Sequence, residues 1–314
     1  MYANALIKRS NSPNRFNNIS RKYYLTCKDR ITADNPTTND WLEVKELLKE
    51  SDSRDLSRVL KGVLEKKKDV VIKISDRDTL EKEYAIGEYL QQVPGFLRPI
   101  CFFKCKGIFK QYPKRGTDAL CEGPGTSMAV LVMPYFSMKS MLDHAWLPER
   151  HLALRACLLQ IVASLVQAYE QKGLIHNDMH LENVLLSKTT RKTIPYLITE
   201  KEVNVQTYGY RITIMDYEQT LIEDPEARGT GIRFLFKDIK HMLSDFYYSR
   251  DLEVLDYAEL DKALTQLEVN ATYPMNFYKC VIGIAKYIEQ LRFAPRPKLL
   301  TMPVYNPHVL GGGS

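Results

Sequence analysis

Residues Leu174-Ile175-His176-Asn177-Asp178-Met179-His180-Leu181-Glu182-Asn183-Val184-Leu185-Leu186 form an H-x-D-x-x-x-x-N string bordered by apolar residues. Upstream, residues 149–172 place Leu154, Cys157, Leu158, Ile161, Val162, Leu165, Val166 and Tyr169 on one helical face. That spacing predicts a long amphipathic helix whose apolar stripe is core rather than a cofactor box. Downstream, Val184–Leu186 predicts a short buried strand. A tight loop between helix and strand holds its side chains towards one cleft. Phosphoryl transfer needs that arrangement: a carboxylate, Asp178, to accept the proton of an attacking hydroxyl, and an amide oxygen, Asn183, to hold a divalent cation.

Working outward, Arg211-Ile212-Thr213-Ile214-Met215-Asp216-Tyr217-Glu218 ends an apolar strand in a carboxylate, placed to bind the same cation. Val70-Val71-Ile72-Lys73-Ile74 predicts a strand carrying one lysine, suited to nucleotide phosphates. In Leu80-Glu81-Lys82-Glu83-Tyr84-Ala85-Ile86, a predicted helix over 78–92 offers a glutamate to hold that lysine. Each residue alone is ordinary: a strand lysine is usually a surface group, and an aspartate ending a strand is usually a cap. The order and spacing of the set carry the argument.

The set resembles the protein-kinase-like superfamily, from about Val59 to Leu243. The resemblance implies a bilobal α+β fold, β-rich in the N-terminal lobe and mainly helical in the C-terminal lobe. It makes Lys73 the strand-three lysine and Glu83 its helical partner, with Glu81 as the fallback. Ile86 and Leu90 follow Glu83 at the family's spacing. Ala129–Phe136 is similar to strand five and the hinge. That implies Met133 as gatekeeper and the Pro134 carbonyl and Phe136 N–H as adenine partners. Val71 and Leu185 would sandwich the base, and Ser140 would lie near the ribose. Asp178 is implied as catalytic base, and Asn183 and Asp216 as ligands of Mg²⁺ or Mn²⁺. With Lys73 these three form the catalytic set, and ATP is the implied phosphoryl donor.

The second half narrows the likeness. His180 stands where typical protein kinases carry lysine, and Tyr217-Glu218 replace Phe-Gly. Asp238 opens a helix, as does the aspartate that braces the catalytic loop in the family. These features resemble haspin-type kinases and divergent kinases of large DNA viruses. The implied activity is a serine/threonine protein kinase. The implied substrate is a protein hydroxyl, with basic or nucleic-acid-associated proteins as candidates, and nucleic acid itself is not expected as a direct ligand. Aminoglycoside and choline kinases share the loop histidine and a D-[WFY]-E motif, and a nucleotide-binding pseudokinase scaffold is a further alternative. The departures are specific. No G-x-G-x-x-G precedes Lys73, where Gly62 is the nearest glycine. Asn177 replaces the arginine that reads activation-loop phosphate. With Glu223, Asp224 and Glu226 expected to repel phosphate at Thr220 or Thr230, activity is expected without activation-loop phosphorylation.

The 314 residues are 45% hydrophobic and 26% charged, enough to bury a large core and unlike a disordered chain. No apolar run is expected to span a membrane, which takes roughly 20 residues, and no signal-peptide pattern is seen. The expectation is an intracellular protein of the cytoplasm or nucleus of a host cell, or one packaged in a virion. A net charge of +6 suits phosphate-bearing ligands, and Lys66-Lys67-Lys68 reads as a solvated turn rather than a nucleic-acid patch. The six cysteines read as free buried thiols, since none has metal-binding spacing. The organisation expected is an irregular extension over 1–38, an N-terminal lobe over 39–133 opening with a helix from Asp40, a hinge and C-terminal lobe over 134–294, and an extended tail over 295–314 ending in linker-like GGGS. Strands are expected near Val184–Leu186 and Arg211–Met215, and helices over 232–249, 252–268 and 274–292.

Overall fold

The computed structural model describes residues 42–50, 58–75, 79–107, 126–136, 140–141, 151–224, 229, 231–248, 252–255, 261–266 and 276–295. The predicted extension over 1–38, the tail beyond 295, Thr230 and Glu226 lie outside them.

The first half forms β1 (Leu42–Glu50), β2 (Arg58–Leu64), β3 (Lys68–Ser75), α1 (Thr79–Tyr89), β4 (Cys101–Gly107) and β5 (Thr126–Pro134). The strands make one antiparallel sheet in the order β1-β2-β3-β5-β4. Strand periodicity divides its two faces. Val70, Ile72 and Ile74 of β3 are buried with Val130 and Val132 of β5 on one face. Ala129 and Leu131 pack on the other with Leu80 and Tyr84 of α1. The register pairs Lys73 with Leu131 and Val71 with Met133, so both β3 residues lie on the α1 side, towards the cleft. Lys66-Lys67-Lys68 is exposed at the β2–β3 turn, as expected of a solvated cluster.

The helix expected from Asp40 is strand β1 instead. Its apolar residues Val44, Leu47 and Leu48 mimic helical spacing because the β1–β2 register shifts twice, between Val44 and Glu46 and between Leu47 and Lys49. Each shift moves the side-chain alternation by one residue. Leu42 and Val44 are buried, whereas Leu47 and Leu48 are exposed.

The second half forms α2 (His151–Lys172), β6 (Leu174–Ile175), β7 (Val184–Lys188), β8 (Thr193–Ile198), β9 (Lys201–Gln206), β10 (Tyr210–Ile214), β11 (Leu221–Ile222), α3 (Ile232–Tyr248), β12 (Leu252–Leu255), α4 (Phe277–Gln290) and β13 (Arg292–Pro295). The strands pair as β7–β10, β6–β11, β8–β9 and β12–β13. The result is a bilobal α+β, kinase-like fold. Helix α2 is long and apolar enough to cross a membrane by length and composition, contrary to expectation, but 83% of that window is buried. Its stripe packs against β6, β7, β10, α3 and α4 in the largest core cluster.

Three further expectations are corrected. The β8–β9 hairpin was not anticipated, although its sequence alternates: Ile194, Tyr196 and Ile198 of β8 and Val205 of β9 share one cluster, while β9 is exposed along most of its length. The helix predicted over 252–268 begins as β12, which takes its partner from β13. Cys101 is disulfide-bonded, while Cys157 and Cys280 are free and buried as expected.

Candidate active site

Helix α2 ends at Gly173, β6 follows, and the chain then turns sharply at Asn177, whose φ is +64°. Asparagine is one of the few residues that adopt this left-handed conformation at modest cost. A turn of 3₁₀ helix, Leu181–Asn183, leads into β7. Strand β10 pairs with β7 and ends just before Asp216, which also has a left-handed φ, +65°. The loop and the β10 end are stitched together: Met215 N–H donates to Asn183 O at 2.9 Å, and His176 Nε2 lies 3.0 Å from Met215 O. That contact to a carbonyl makes Nε2 the donor, and burial lowers the His176 pKa, so the ring is a neutral structural group.

The cleft joins both lobes. Lys73 Nζ is 2.5 Å from Glu83 Oε1 and 3.5 Å from Asp216 Oδ1. Burial alone would depress Lys73, but Glu83 and Asp216 outweigh it and the pKa is raised, so the ammonium is retained. Burial likewise works to raise Asp216, but Lys73 overcomes it and holds the carboxyl below its ordinary value. Glu83, almost fully buried, is pushed up to about 7 by burial, against the pull of Lys73. Glu83 is therefore the helical glutamate that lies against Lys73. Glu81 instead faces Lys104, with Nζ–Oε2 at 3.0 Å.

Asn183 is buried, and its Nδ2 donates to the Asp178 carbonyl at 3.0 Å. Its Oδ1 is therefore the atom left to accept a cation. Carboxylate oxygens of Asp216, Glu218 and Glu83 lie within 4.8 Å of one another. This all-oxygen donor set fits Mg²⁺ or Mn²⁺. The Asp178 side chain is 44% exposed, with His180 Nε2 3.9 Å from its Oδ2. Of the residues expected to line a nucleotide, Val71, Met133, Pro134, Phe136 and Leu185 are each partly exposed. Ser140 is buried and its backbone bridges Leu185.

Three contributors were missed. Lys82 Nζ donates to the Glu218 carbonyl at 2.6 Å. Asp245 accepts the Leu181 amide at 2.8 Å, as Asp238 accepts that of Asn177. Their seven-residue interval, which puts both carboxylates on one face of α3, was the available signal. Glu223, read from sequence as an acidic repeller of phosphate, is buried: it accepts the Tyr169 hydroxyl at 2.6 Å and the amides of Gly231 and Gly229 at 2.7 and 3.2 Å. Thr220, read as a phosphorylation candidate, is only 1% exposed. Gly62 answers a packing need, because a Cβ there would lie 2.5 Å from Ile72 Cδ1 and 2.7 Å from Glu43 O. The link between β1 and β2, where a phosphate-covering loop would run, is outside the described residues.

No protein-family model matches the chain. It is 25% identical over 163 residues to the serine/threonine-protein kinase haspin homolog of Arabidopsis thaliana, covering 44% of this chain and 26% of that protein. It is 36% identical over 69 residues to the serine/threonine-protein kinase haspin of Mus musculus, covering 22% of this chain and 9% of that protein. The Bos taurus haspin matches at the same identity and coverage. The chain thus spans only a minor part of the curated relatives it matches. These likenesses support a protein-kinase-like relationship.

Proposed function

We propose that the chain is an ATP- and Mg²⁺-dependent phosphotransferase, a serine/threonine protein kinase with Asp178 as general base. The observation that carries this reading is the Lys73 ammonium held between Glu83 and Asp216 at 2.5 and 3.5 Å. Such a cation is fixed in direction yet only 18% exposed, so it is poised for an anionic ligand rather than for bulk water. Adenine would lie between Val71 and Leu185, beneath Met133, hydrogen-bonded to the Pro134 carbonyl and the Phe136 amide, with Ser140 near the ribose. Asn183 and Asp216 would hold a divalent cation, whose role is to neutralise charge on the transferred phosphate. Asp178 orients the substrate hydroxyl and takes its proton, its backbone fixed from behind by Asn183 Nδ2. His180, beside Asp178, adds a hydrogen-bonding group at the mouth of the site.

Labelling of protein substrates with radioactive ATP and Mg²⁺, with Asp178→Asn as control, tests the reading. Transfer by the wild type and none by the variant is expected. Equal labelling by both, or none by either, overturns it.

One observation favours a second reading, a nucleotide-binding pseudokinase. Gly62 is committed to packing, so it does not substitute for a phosphate-binding glycine loop. Calorimetry that finds ATP binding without transfer would select that reading. Transfer to a small-molecule hydroxyl instead of a protein would select an aminoglycoside- or choline-type kinase.

A further inference from the structure

Three consecutive residues of α1 reach three different elements. Glu81 meets Lys104 of β4 at 3.0 Å, and Glu83 meets Lys73 of β3 at 2.5 Å. Between them, Lys82 donates to the Glu218 carbonyl at 2.6 Å. Successive helical residues point about 100° apart, so these contacts hold one turn of helix from three directions. A rotation of α1 about its axis breaks all three together. Two of the ties close on strands of the same sheet. The third crosses to the segment after β10, in the other lobe.

The place where it lands matters. Glu218 follows Asp216 by two residues, and Asp216 sits in a left-handed conformation that aspartate, like asparagine, adopts at modest cost and that neighbouring contacts hold in place. Among those surroundings, Tyr217 OH reaches Leu97 O and Ile214 O at 2.9 and 3.0 Å. Lys82 fixes the carbonyl on the other side of Tyr217. The Glu218 carboxylate also shares a 4.8 Å neighbourhood with those of Glu83 and Asp216. Like charges that close repel, and the ammonium groups of Lys73 and Lys82 offset them.

We propose that Lys82 is a positioning residue that couples the seating of Glu83 on Lys73 to the placement of Asp216, so that the ion pair and the cation site form as one unit. The inference rests on reading this cleft as the nucleotide site. It adds a residue that neither the H-x-D-x-x-x-x-N string nor the lysine–glutamate pair contains. Lys82 touches no reacting atom in this account. It acts through the backbone of Glu218.

The test compares full-length wild type, Lys82→Met and Lys82→Arg. Binding of a fluorescent ATP analogue is titrated with Mn²⁺, and amide hydrogen exchange is followed over 214–220. Lys82→Met is expected to raise the Mn²⁺ concentration for half-maximal binding by about ten-fold, the usual scale for loss of an outer-sphere support. Exchange at 216–220 is expected to rise while the thermal midpoint stays near wild type. Lys82→Arg, which keeps a donor and a charge, is expected to restore both readouts. Unchanged half-saturation and unchanged exchange in Lys82→Met overturn the proposal. So does an equal loss of thermal midpoint in both variants, which would mark Lys82 as a packing residue. If wild type binds no nucleotide analogue, the nucleotide reading falls, and the exchange comparison still decides whether Lys82 orders the Asp216 segment.

Discussion

The backbone amide of Asn177 donates to the buried carboxylate of Asp238 at 2.8 Å, tying the turn at Asn177 to the first turns of α3. The amides of Met179 and His176 bear on the same carboxylate. Because Asn177 is left-handed, the loop curls so that neighbouring N–H groups converge on one acceptor.

Burial pushes the Asp238 carboxyl up to about 7, against the pull of those amides. The folded state therefore takes up this proton more readily than the unfolded chain, whose carboxyl keeps its ordinary value of 3.8. The Asp238 contribution to stability is present at low pH, is lost as pH rises from about 4 through the folded value of about 7, and levels only beyond it. Asp238→Asn cannot titrate. The thermal-midpoint difference, wild type minus Asp238→Asn, is expected to shrink as pH rises from 5 through 7 and to level off only towards pH 8. Thermal melts at fixed ionic strength measure it, and a flat difference across that range contradicts the account.

A second expectation concerns chemistry. Asn183 Nδ2 bonds the Asp178 main-chain carbonyl, not its side chain. Asp178→Asn therefore leaves the loop intact while removing the carboxylate proposed as base. Turnover is expected to fall by about 10²–10⁴-fold, with ATP affinity nearly unchanged. Steady-state kinetics beside calorimetry separate the two, and wild-type turnover in the variant refutes Asp178 as base.

The contacts around this cleft that are legible in sequence are those set by short-range spacing. Asp178 and Asn183 lie on one loop, and Lys73 and Glu83 on adjoining elements, so their partnership is written at short range. Strand β1 was misread because two register shifts turned a strand's alternation into a helix-like one. Glu223 was misread because nothing next to it in sequence shows that Tyr169, far upstream on α2, arrives at 2.6 Å. Buried acceptors of distant donors look, in sequence, like surface charges. The Cys101 disulfide escaped for the same reason: its bond depends on tertiary placement rather than on interval.

Tyr217 supplies a third prediction. Its ring is buried against Phe96 and His176, with centroids 6.3 and 6.2 Å away. Its hydroxyl bridges Leu97 O and Ile214 O. Tyr217→Phe keeps the packing and loses the donor. Ile214 O still accepts the Leu97 amide, so the loss falls mainly on Leu97 O. A destabilisation of about 1–2 kcal/mol is expected, read by urea unfolding. A change below a few tenths of a kcal/mol would show that water replaces the hydroxyl.

The last prediction is that phosphate plays no part in ordering the segment after Asp216. Every stretch of it from Asp216 to Glu223 is already tied to the body. Asp216 pairs with Lys73, and the Gln219 carbonyl accepts Asn177 Nδ2 at 3.4 Å. Thr220 Oγ1 reaches His176 O at 3.4 Å, and β11 pairs with β6. Glu223 then gathers Tyr169, Gly229 and Gly231. A phosphate switch orders a loop by supplying an anion to a waiting arginine. Here Asn177 stands at the position that the kinase likeness gives to that arginine, and a native carboxylate, Glu223, already fills the role of buried anion. Thr220 cannot be phosphorylated without first unfolding its surroundings, because it is 1% exposed. Phosphatase treatment is therefore expected to leave activity within about two-fold of the untreated protein. Glu223→Gln, which turns one acceptor into a donor facing an amide, is expected to cost about 1–3 kcal/mol of stability and to speed amide exchange at 221–231. An activity loss of ten-fold or more on dephosphorylation, recovered on rephosphorylation, would show that ordering by phosphate exists after all.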